Sequence, residues 1–235
     1  MSPRLKITVL HGSPRKGNTY KAVQIFKEEL LRCGEANFTE FFFPQALPVF
    51  CTGCQLCLGN PCEKCPHTQY AAPILDAVLT ADALIIASPH YGASTMPASL
   101  KTLFDHLDFL TLPVAPRKEM FDKKAFIITT GSGSASVIAP ISKALKNWGV
   151  NRVHAAGLRM LTDKWDKLPE PKQHKFNNTL RRNARKFFHA KQRRPHFQTV
   201  FMYYASKFIL KRYIGESSYP YKYWSENGWF SKRPF

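Results

Sequence analysis

Residues 5–19 read LKITVLHGSPRKGNT, and this stretch decides the fold. An apolar, β-branched run typical of a buried strand leads into a loop of small, polar and basic residues, after which a helical pattern begins. Gly12 and Gly17 let backbone N–H groups turn inward. Ser13 and Thr19 supply hydroxyl groups, and the helix that begins near Thr19 directs the positive end of its dipole at the loop. We therefore expect this loop to bind an anion.

The spacing within the loop narrows the kind of anion. Residues 12–19 read GSPRKGNT, which differs from a nucleoside-triphosphate loop at one position, because Asn18 stands where that loop carries a lysine. That lysine contacts the outer phosphates. The sequence thus favours a single phosphate group held by N–H and hydroxyl donors. An ordinary strand-to-helix turn rich in turn-forming residues is the alternative.

Strand and helix patterns alternate along the first two thirds of the chain. Further strands are predicted at 38–43, 82–88, 125–130 and 150–157, with helices between them. Five such strands indicate an α/β fold, a doubly wound parallel sheet of order 2-1-3-4-5. The loops 89–96 and 129–134 are rich in Gly, Ser, Thr and Pro, and in this topology they open on the same sheet edge as the first loop. Ligands are expected at that edge.

Composition limits the class of protein. The chain has 235 residues and a net charge of +18, and no apolar run approaches the roughly 20 residues that span a membrane. From residue 170 onward lie 15 of the 34 Lys and Arg residues but only 3 of the 16 acidic ones. We expect one domain over 1–160 and a basic, aromatic, helical extension over 161–235. Because residue 1 leads almost directly into a strand, without a signal-peptide pattern, we expect a cytoplasmic protein.

Cysteines are concentrated in one loop, 51–67. Five of the six read C-x2-C-x2-C-x4-C-x2-C, and in a reducing compartment this density favours metal ligands over separate disulfides. A [4Fe-4S] cluster is the first expectation. A structural zinc site, with four thiolates or with three and His67, and redox-active thiols without metal are the alternatives. The five cysteines are Cys51, Cys54, Cys57, Cys62 and Cys65.

Three motifs together carry a family resemblance. HGSPRKGNT, the run SPHYGASTMPASLKTLFDHL from Ser88 and TTGSGS from Thr129 resemble the NAD(P)H-dependent FMN reductases of the flavodoxin-like superfamily over about residues 4–160. The resemblance implies a flavodoxin-like fold, bound FMN and NAD(P)H as co-substrate. The FMN-binding residues that it implies are Ser13, Arg15, Asn18 and Thr19 at the phosphate, and Pro89, His90, Tyr91, Gly92, Thr130, Gly131, Ser132 and Gly133 around the flavin ring. His90 stands where an apolar residue is expected, which changes the polarity of the pocket.

The reaction implied by this resemblance passes electrons from NAD(P)H through FMN to a small acceptor such as a flavin or a quinone. No side chain is expected to act as a catalytic acid or base, because the chemistry takes place on the flavin. The cysteine motif resembles that of iron-sulfur flavoproteins, a subset of the same superfamily, with either Cys62 or Cys65 as the fourth ligand. It implies an alternative function, an electron carrier downstream of ferredoxin.

The sequence of the C-terminal extension is compatible with more than one kind of binding partner. Residues 172–194 are basic with helical spacing, residues 200–213 are apolar and aromatic, and YKYWSENGW from Tyr221 resembles the C-terminal extension of some clostridial-type flavodoxin family oxidoreductases. Packing onto a second subunit, and hence a homo-oligomer, is the first expectation. An anionic membrane surface is the second. Nucleic acid is not expected, because no base-reading module accompanies the charge.

Overall fold

The computed structural model of the protein describes residues 4–58, 64–92, 95–191 and 195–235. Its centre is a five-stranded sheet of order β2-β1-β3-β4-β5 in which every paired strand is parallel. The strands are β1 (Leu5–His11), β2 (Ala36–Phe42), β3 (Ala83–Pro89), β4 (Lys124–Gly131) and β5 (Arg152–Arg159). This order confirms the predicted flavodoxin-like, doubly wound topology.

Eight α-helices are present among the described residues. They are α1 (Asn18–Cys33), α2 (Thr68–Thr80), α3 (Ala98–His106), α4 (Lys118–Phe121), α5 (Ala135–Asn147), α6 (Glu170–Phe188), α7 (Phe197–Ile209) and α8 (Tyr219–Glu226). A π-helical turn, Leu210–Ile214, continues α7. The helices α6 to α8 confirm the predicted helical extension. Within the described ranges, no helix is long and apolar enough to cross a membrane.

The sheet separates two apolar layers, because helices cover both of its faces. On one face, α1 and α6 pack against the strands, with the rings of Phe26 and Phe126 4.5 Å apart and Phe187 beside them. On the other face lie α2, α3 and α5, joined by buried residues of the C-terminal extension such as Trp224. The strands β3 and β4 are therefore buried almost throughout rather than at alternate residues.

The C-terminal extension is fixed to the sheet layers by polar as well as apolar contacts. On α6, the guanidinium of Arg185 donates to the buried carboxylate of Glu29 on α1. On the opposite face, the hydroxyl of Tyr223 donates to the carbonyl of Pro116 at 3.0 Å, and that of Tyr203 donates to the carbonyl of Trp229 at 2.6 Å. The basic helix α6 and the aromatic helix α7 thus lie on opposite faces of the sheet.

Candidate functional site

Three loops meet at the carboxyl ends of the strands, as the parallel topology requires. They follow β1, β3 and β4, and backbone hydrogen bonds hold them in register. The N–H of Gly12 donates to the carbonyl of Ala87 at 2.7 Å, and the N–H of His90 donates to the carbonyl of Thr130 at 2.9 Å. The predicted meeting of these loops at one edge is therefore present in the fold.

The first turn of α1 is open to an anion. Gly17 occupies the N-cap position, no side chain caps the helix, and the first turn contains no acidic residue. The uncapped N–H groups and the helix dipole therefore favour a negative charge beside this turn. The side chain of Arg15 is exposed in the same loop, and its backbone N–H donates to the hydroxyl of Ser13 at 3.3 Å.

Two predicted phosphate ligands also hold the loops together. The buried hydroxyl groups of Thr19 and Thr130 lie 2.6 Å apart and form a hydrogen bond between α1 and β4. The amide of Asn18 donates to the carbonyl of Thr162 at 2.9 Å, which joins the first turn of α1 to the segment after β5. Asn18 therefore positions the loop, in addition to any contact that it makes with a ligand.

A cavity of about 170 Å³ lies where these elements meet. Nine of the twelve predicted cofactor-binding residues line it, namely Ser13, Arg15, Asn18, Thr19, Pro89, His90, Tyr91, Thr130 and Gly131. The other three, Gly92, Ser132 and Gly133, are not part of its wall. Ser132 nevertheless contacts a lining residue, because its hydroxyl is 3.3 Å from Nδ1 of His90. Contact of Gly92, Ser132 and Gly133 with a flavin stays a prediction.

His90 packs against the glycines of the third loop. At Gly131, where φ is +138°, a Cβ atom would lie 2.6 Å from Cβ of His90. At Gly133 a Cβ atom would lie 2.7 Å from Nε2 of the same ring. Both positions therefore require glycine while the imidazole keeps this place. The polar ring expected from the sequence thus forms part of the cavity wall.

A fourth segment, after β5, completes the wall and was missed by the sequence reasoning. Met160, Thr162 and Asp163 line the cavity, together with Gly17 from the first loop. The position of this segment in the chain could have indicated it, because the carboxyl end of a fifth parallel strand must reach the same edge of the sheet. The hydroxyl of Thr162 is buried without a hydrogen-bond partner. A buried hydroxyl of this kind fits a site that receives a polar ligand.

The residues present fit a phosphate group better than they fit a complete flavin. Cavities that enclose whole cofactors usually measure about 300–1,000 Å³, so 170 Å³ holds only part of one. The ring of Tyr91 is half exposed at the margin, and its hydroxyl is 3.5 Å from that of Ser13. The ring of a flavin whose phosphate is bound here would therefore extend beyond this cavity.

An adjoining concavity extends the basic surface beside the first loop. Its volume is about 440 Å³, and Arg15, Gly17, Asn18 and Asp163 are shared with the smaller cavity. Its cationic lining residues are Arg15, Lys16, Lys21 and Lys164, against the acidic Asp163 and Asp166. The excess of cations favours an anionic ligand at this end of the site.

A cluster of ionisable side chains from β1, α1 and β2 lies at the start of the first loop. Nε2 of His11 lies 2.8 Å from Oε2 of Glu40, the His11 ring stacks on Phe42, and Lys27 donates to the other carboxylate oxygen. Burial lowers the pKa of His11 in spite of the neighbouring carboxylate. Burial alone would raise the pKa of Glu40, but the hydrogen bonds from Lys27 and His11 outweigh it and lower that pKa.

The cysteine-rich loop provides four described thiols, and Cys62 lies outside the described residues. Burial raises the pKa of the Cys57 thiol, and the charges of Cys51, Cys65 and Cys54 raise it further. No group of three ligating side chains among the described residues is arranged around a common metal position. Beside this loop, Nδ1 of His67 is 3.0 Å from Nε2 of His106. The predicted metal site stays a prediction.

Two other concavities lie away from the converging loops. One of about 450 Å³ is at the amino ends of the strands, where Lys123 donates to the carbonyl of Leu79 at 2.7 Å and burial lowers its pKa to about 8. The other, of about 890 Å³, is a groove between α5 and α7. Neither is lined by a residue of the loops after β1 and β3, although the groove includes Ser134 and Ala135 at the start of α5.

Comparison with solved structures supports the fold. The chain is similar to azoreductase AzrA, with a TM-score of 0.62 and 14% identity over 77% of this chain and 100% of that one. It is similar to an NAD(P)H:quinone oxidoreductase from Methanothermobacter marburgensis, with a TM-score of 0.60 and 16% identity over 80% of this chain and 99% of that one. It is also similar to an FMN-dependent NADH-azoreductase from Bacillus anthracis, solved in complex with FMN. The TM-score is 0.58, and the identity is 12% over 77% of this chain and 97% of that one.

The family follows from sequence rather than from these distant structures. No curated protein gives a significant match to the chain. The model of the NADPH-dependent FMN reductase family matches residues 5–160, which include the five strands and the three loops. This agrees with the predicted resemblance and with the predicted enzyme class, an NAD(P)H-dependent flavoprotein oxidoreductase. The chain belongs to the NADPH-dependent FMN reductase family.

Proposed function

We propose that this enzyme passes electrons from NAD(P)H through FMN to a small acceptor such as a free flavin or a quinone. The observation that carries the proposal is the uncapped first turn of α1 facing a cavity formed by three loops, within a chain of the FMN reductase family. The similar structures named as quinone oxidoreductase and azoreductases agree with a small acceptor.

Each loop has a separate role in this proposal. The N–H groups of α1, the hydroxyls of Ser13 and Thr19 and the guanidinium of Arg15 would hold the phosphate. His90, Tyr91 and the Thr130–Gly131 turn would contact the flavin ring. When bound, FMN supplies the hydride and electron chemistry. The protein then needs only to orient the ring and to leave one of its faces open to NAD(P)H and the acceptor.

The first experiment separates phosphate recognition from ring recognition. Purified protein is titrated with FMN and with riboflavin, which lacks the phosphate, and flavin fluorescence is measured. We expect Arg15→Gln to weaken FMN binding about 5–10-fold, because one charge-assisted contact is lost, and to leave riboflavin binding unchanged. Arg182→Gln, an exposed position on α6, is the matched control and should change neither. Wild-type protein that binds no FMN would refute the proposal.

The second experiment tests the reaction. FMN-loaded enzyme is mixed with NADH or NADPH, and oxidation is recorded with riboflavin or benzoquinone as the acceptor. Consumption of either nicotinamide that depends on both FMN and acceptor supports the proposal. If the enzyme retains FMN but oxidises neither nicotinamide, the proposed reaction is wrong and only the proposed binding of FMN stands.

The iron-sulfur electron carrier is the second candidate. The spacing of Cys51, Cys54, Cys57 and Cys65 within one short loop supports it, because the ligands of one cluster must come from a compact group of thiols. Protein prepared without oxygen should then contain stoichiometric iron and sulfide, and Cys57→Ser should lose both while it keeps FMN. Zinc without sulfide, or no metal at all, would contradict this candidate.

A further inference from the structure

The helix α7 carries a row of aromatic side chains on its outward face. Phe197, Phe201, Tyr204 and Phe208 recur at intervals of four, three and four residues, which places them along one side of a helix. They are 72%, 68%, 51% and 61% exposed. We name these four residues the aromatic stripe.

The opposite face of α7 already makes the contacts that hold the helix in place. Thr199, Tyr203, Ser206 and Leu210 are buried there. The hydroxyl of Thr199 donates to Oδ1 of Asn151 at 2.9 Å, and Tyr203 packs in the core beside Trp224. The aromatic stripe lies on the other side of the helix from these contacts, and of its members Phe201 also lines the groove between α5 and α7.

Exposure of apolar side chains is concentrated in this region. Among the described residues, twelve large hydrophobic side chains are exposed, and seven of them lie between residues 197 and 214. Beyond the stripe these are Ile209, Tyr213 and Ile214. Scattered exposed apolar residues are ordinary, but a contiguous group marks a surface that contacts a partner or a membrane.

Cations flank the aromatic stripe. Lys207, Lys211 and Arg212 line a shallow concavity of about 430 Å³ together with Tyr204 and Phe208. Over residues 195–235 the sequence has six Lys or Arg residues and two acidic ones. Long cationic side chains beside exposed aromatic rings are the arrangement that peripheral helices present to a lipid headgroup layer.

We propose that this face of α7 docks on an anionic membrane surface. The aromatic rings would enter the boundary between headgroups and acyl chains, while Lys207, Lys211 and Arg212 contact lipid phosphates. Charge favours an anionic lipid surface over a second copy of the chain as the occupant, because a second copy would carry the same excess of cations over residues 195–235, six Lys or Arg residues against two acidic ones. The proposal goes beyond the oxidoreductase activity and does not depend on it.

Vesicle sedimentation with the full-length, FMN-loaded protein tests the proposal. The probes are vesicles of phosphatidylcholine alone and vesicles that also contain phosphatidylglycerol, each at low and at high salt. We expect sedimentation with the anionic vesicles at low salt, and weaker binding at high salt because salt screens the cationic contacts. Phe201→Ser combined with Phe208→Ser should weaken the partition coefficient by about tenfold or more, because two rings no longer enter the lipid.

Matched controls test whether binding depends on this face of α7 or on the positive charge of the whole protein. Lys207→Glu with Lys211→Glu should abolish binding, whereas Lys175→Glu with Lys186→Glu, the same charge change on exposed positions of α6 across the sheet, should leave it nearly intact. Leu31→Ser, an exposed apolar position on α1, is the control for the rings. All variants are first shown to keep wild-type near-ultraviolet circular dichroism, which is expected because every substituted side chain is exposed or lies at the surface.

Three results would overturn the proposal. One is the absence of binding to anionic vesicles at low salt. Another is an equal loss in the two pairs of lysine variants, which would indicate non-specific attraction. The third is a wild-type dimer that Phe201→Ser with Phe208→Ser converts to a monomer, because a second copy would then cover the stripe.

Discussion

The hydroxyl groups of Thr19 and Thr130 lie 2.6 Å apart across the sheet edge, joining the first turn of α1 to the end of β4. The two residues are 111 positions apart in the sequence, and both line the cavity. This buried hydrogen bond links the first loop directly to the third and so joins two sides of the cavity.

Thr130→Val should weaken FMN binding and lower stability. Valine has the same shape but leaves the hydroxyl of Thr19 buried without its partner, which destabilises the folded protein by about 1–3 kcal/mol. FMN titration and urea unfolding measure the two effects. Thr8→Val removes another hydroxyl that bonds a backbone carbonyl, that of Ala77 at 2.7 Å, away from the site. This control should lose stability but keep its FMN affinity, and equal FMN affinity in both variants would contradict the assignment.

Alanine substitutions at Gly131 and Gly133 should differ in how they respond to removal of the His90 ring. Gly133→Ala collides with the end of that ring, so His90→Ala should relieve the collision, and the double variant should lose less FMN affinity and less unfolding free energy than the two single variants added together. Gly131→Ala forces a side chain into φ +138°, which costs about 1–3 kcal/mol, and it places Cβ against Cβ of His90, an atom that alanine retains, so His90→Ala should relieve neither effect. Double-mutant cycles of FMN affinity and unfolding measure the difference. Full rescue at Gly131 would disprove the backbone argument.

Arg185→Gln should lower stability at neutral pH more than at acidic pH. The hydrogen bond from Arg185 holds the pKa of Glu29 below 4.5, although burial opposes this. A carboxylate with a lowered folded pKa stabilises the protein above pH 4.5, and this contribution is lost as the pH falls through the folded value. The difference between wild type and variant in urea unfolding should therefore shrink from pH 7 to pH 4. Arg182→Gln should show no such trend.

His11→Gln should reduce the pH dependence of stability in the mildly acidic range. Burial holds the folded pKa of His11 below 6.5, so the unfolded chain binds a proton first as the pH falls. The wild type should lose stability as the pH drops below 6.5 until the folded pKa is reached. The variant lacks this group, and its unfolding free energy should fall less between pH 7.5 and 5.5. His189→Gln, at an exposed position, is the control.

Much of the candidate site could be predicted because local sequence encodes it. Small and polar residues at the ends of predicted parallel strands must meet at one edge, which places Ser13, Pro89 and Thr130 together. Thr162 and Asp163 escaped prediction because the segment after β5 has no glycine-rich pattern. Their place in the wall depends on β5 pairing with β4, a contact between distant parts of the chain.

The sequence by itself determined the alternation of strands and helices, the small and polar residues of the first loop and the charge of the extension, because periodicity, turn residues and composition are local properties of the chain. The tertiary structure alone decided which sides of the sheet α6 and α7 cover and which face of α7 remains exposed. It also decided that the Asn18 amide bonds to Thr162 and that His90 packs against Gly131. These outcomes depend on packing between residues far apart in the chain, and a helical repeat of apolar residues does not reveal whether its partner is the core or another surface.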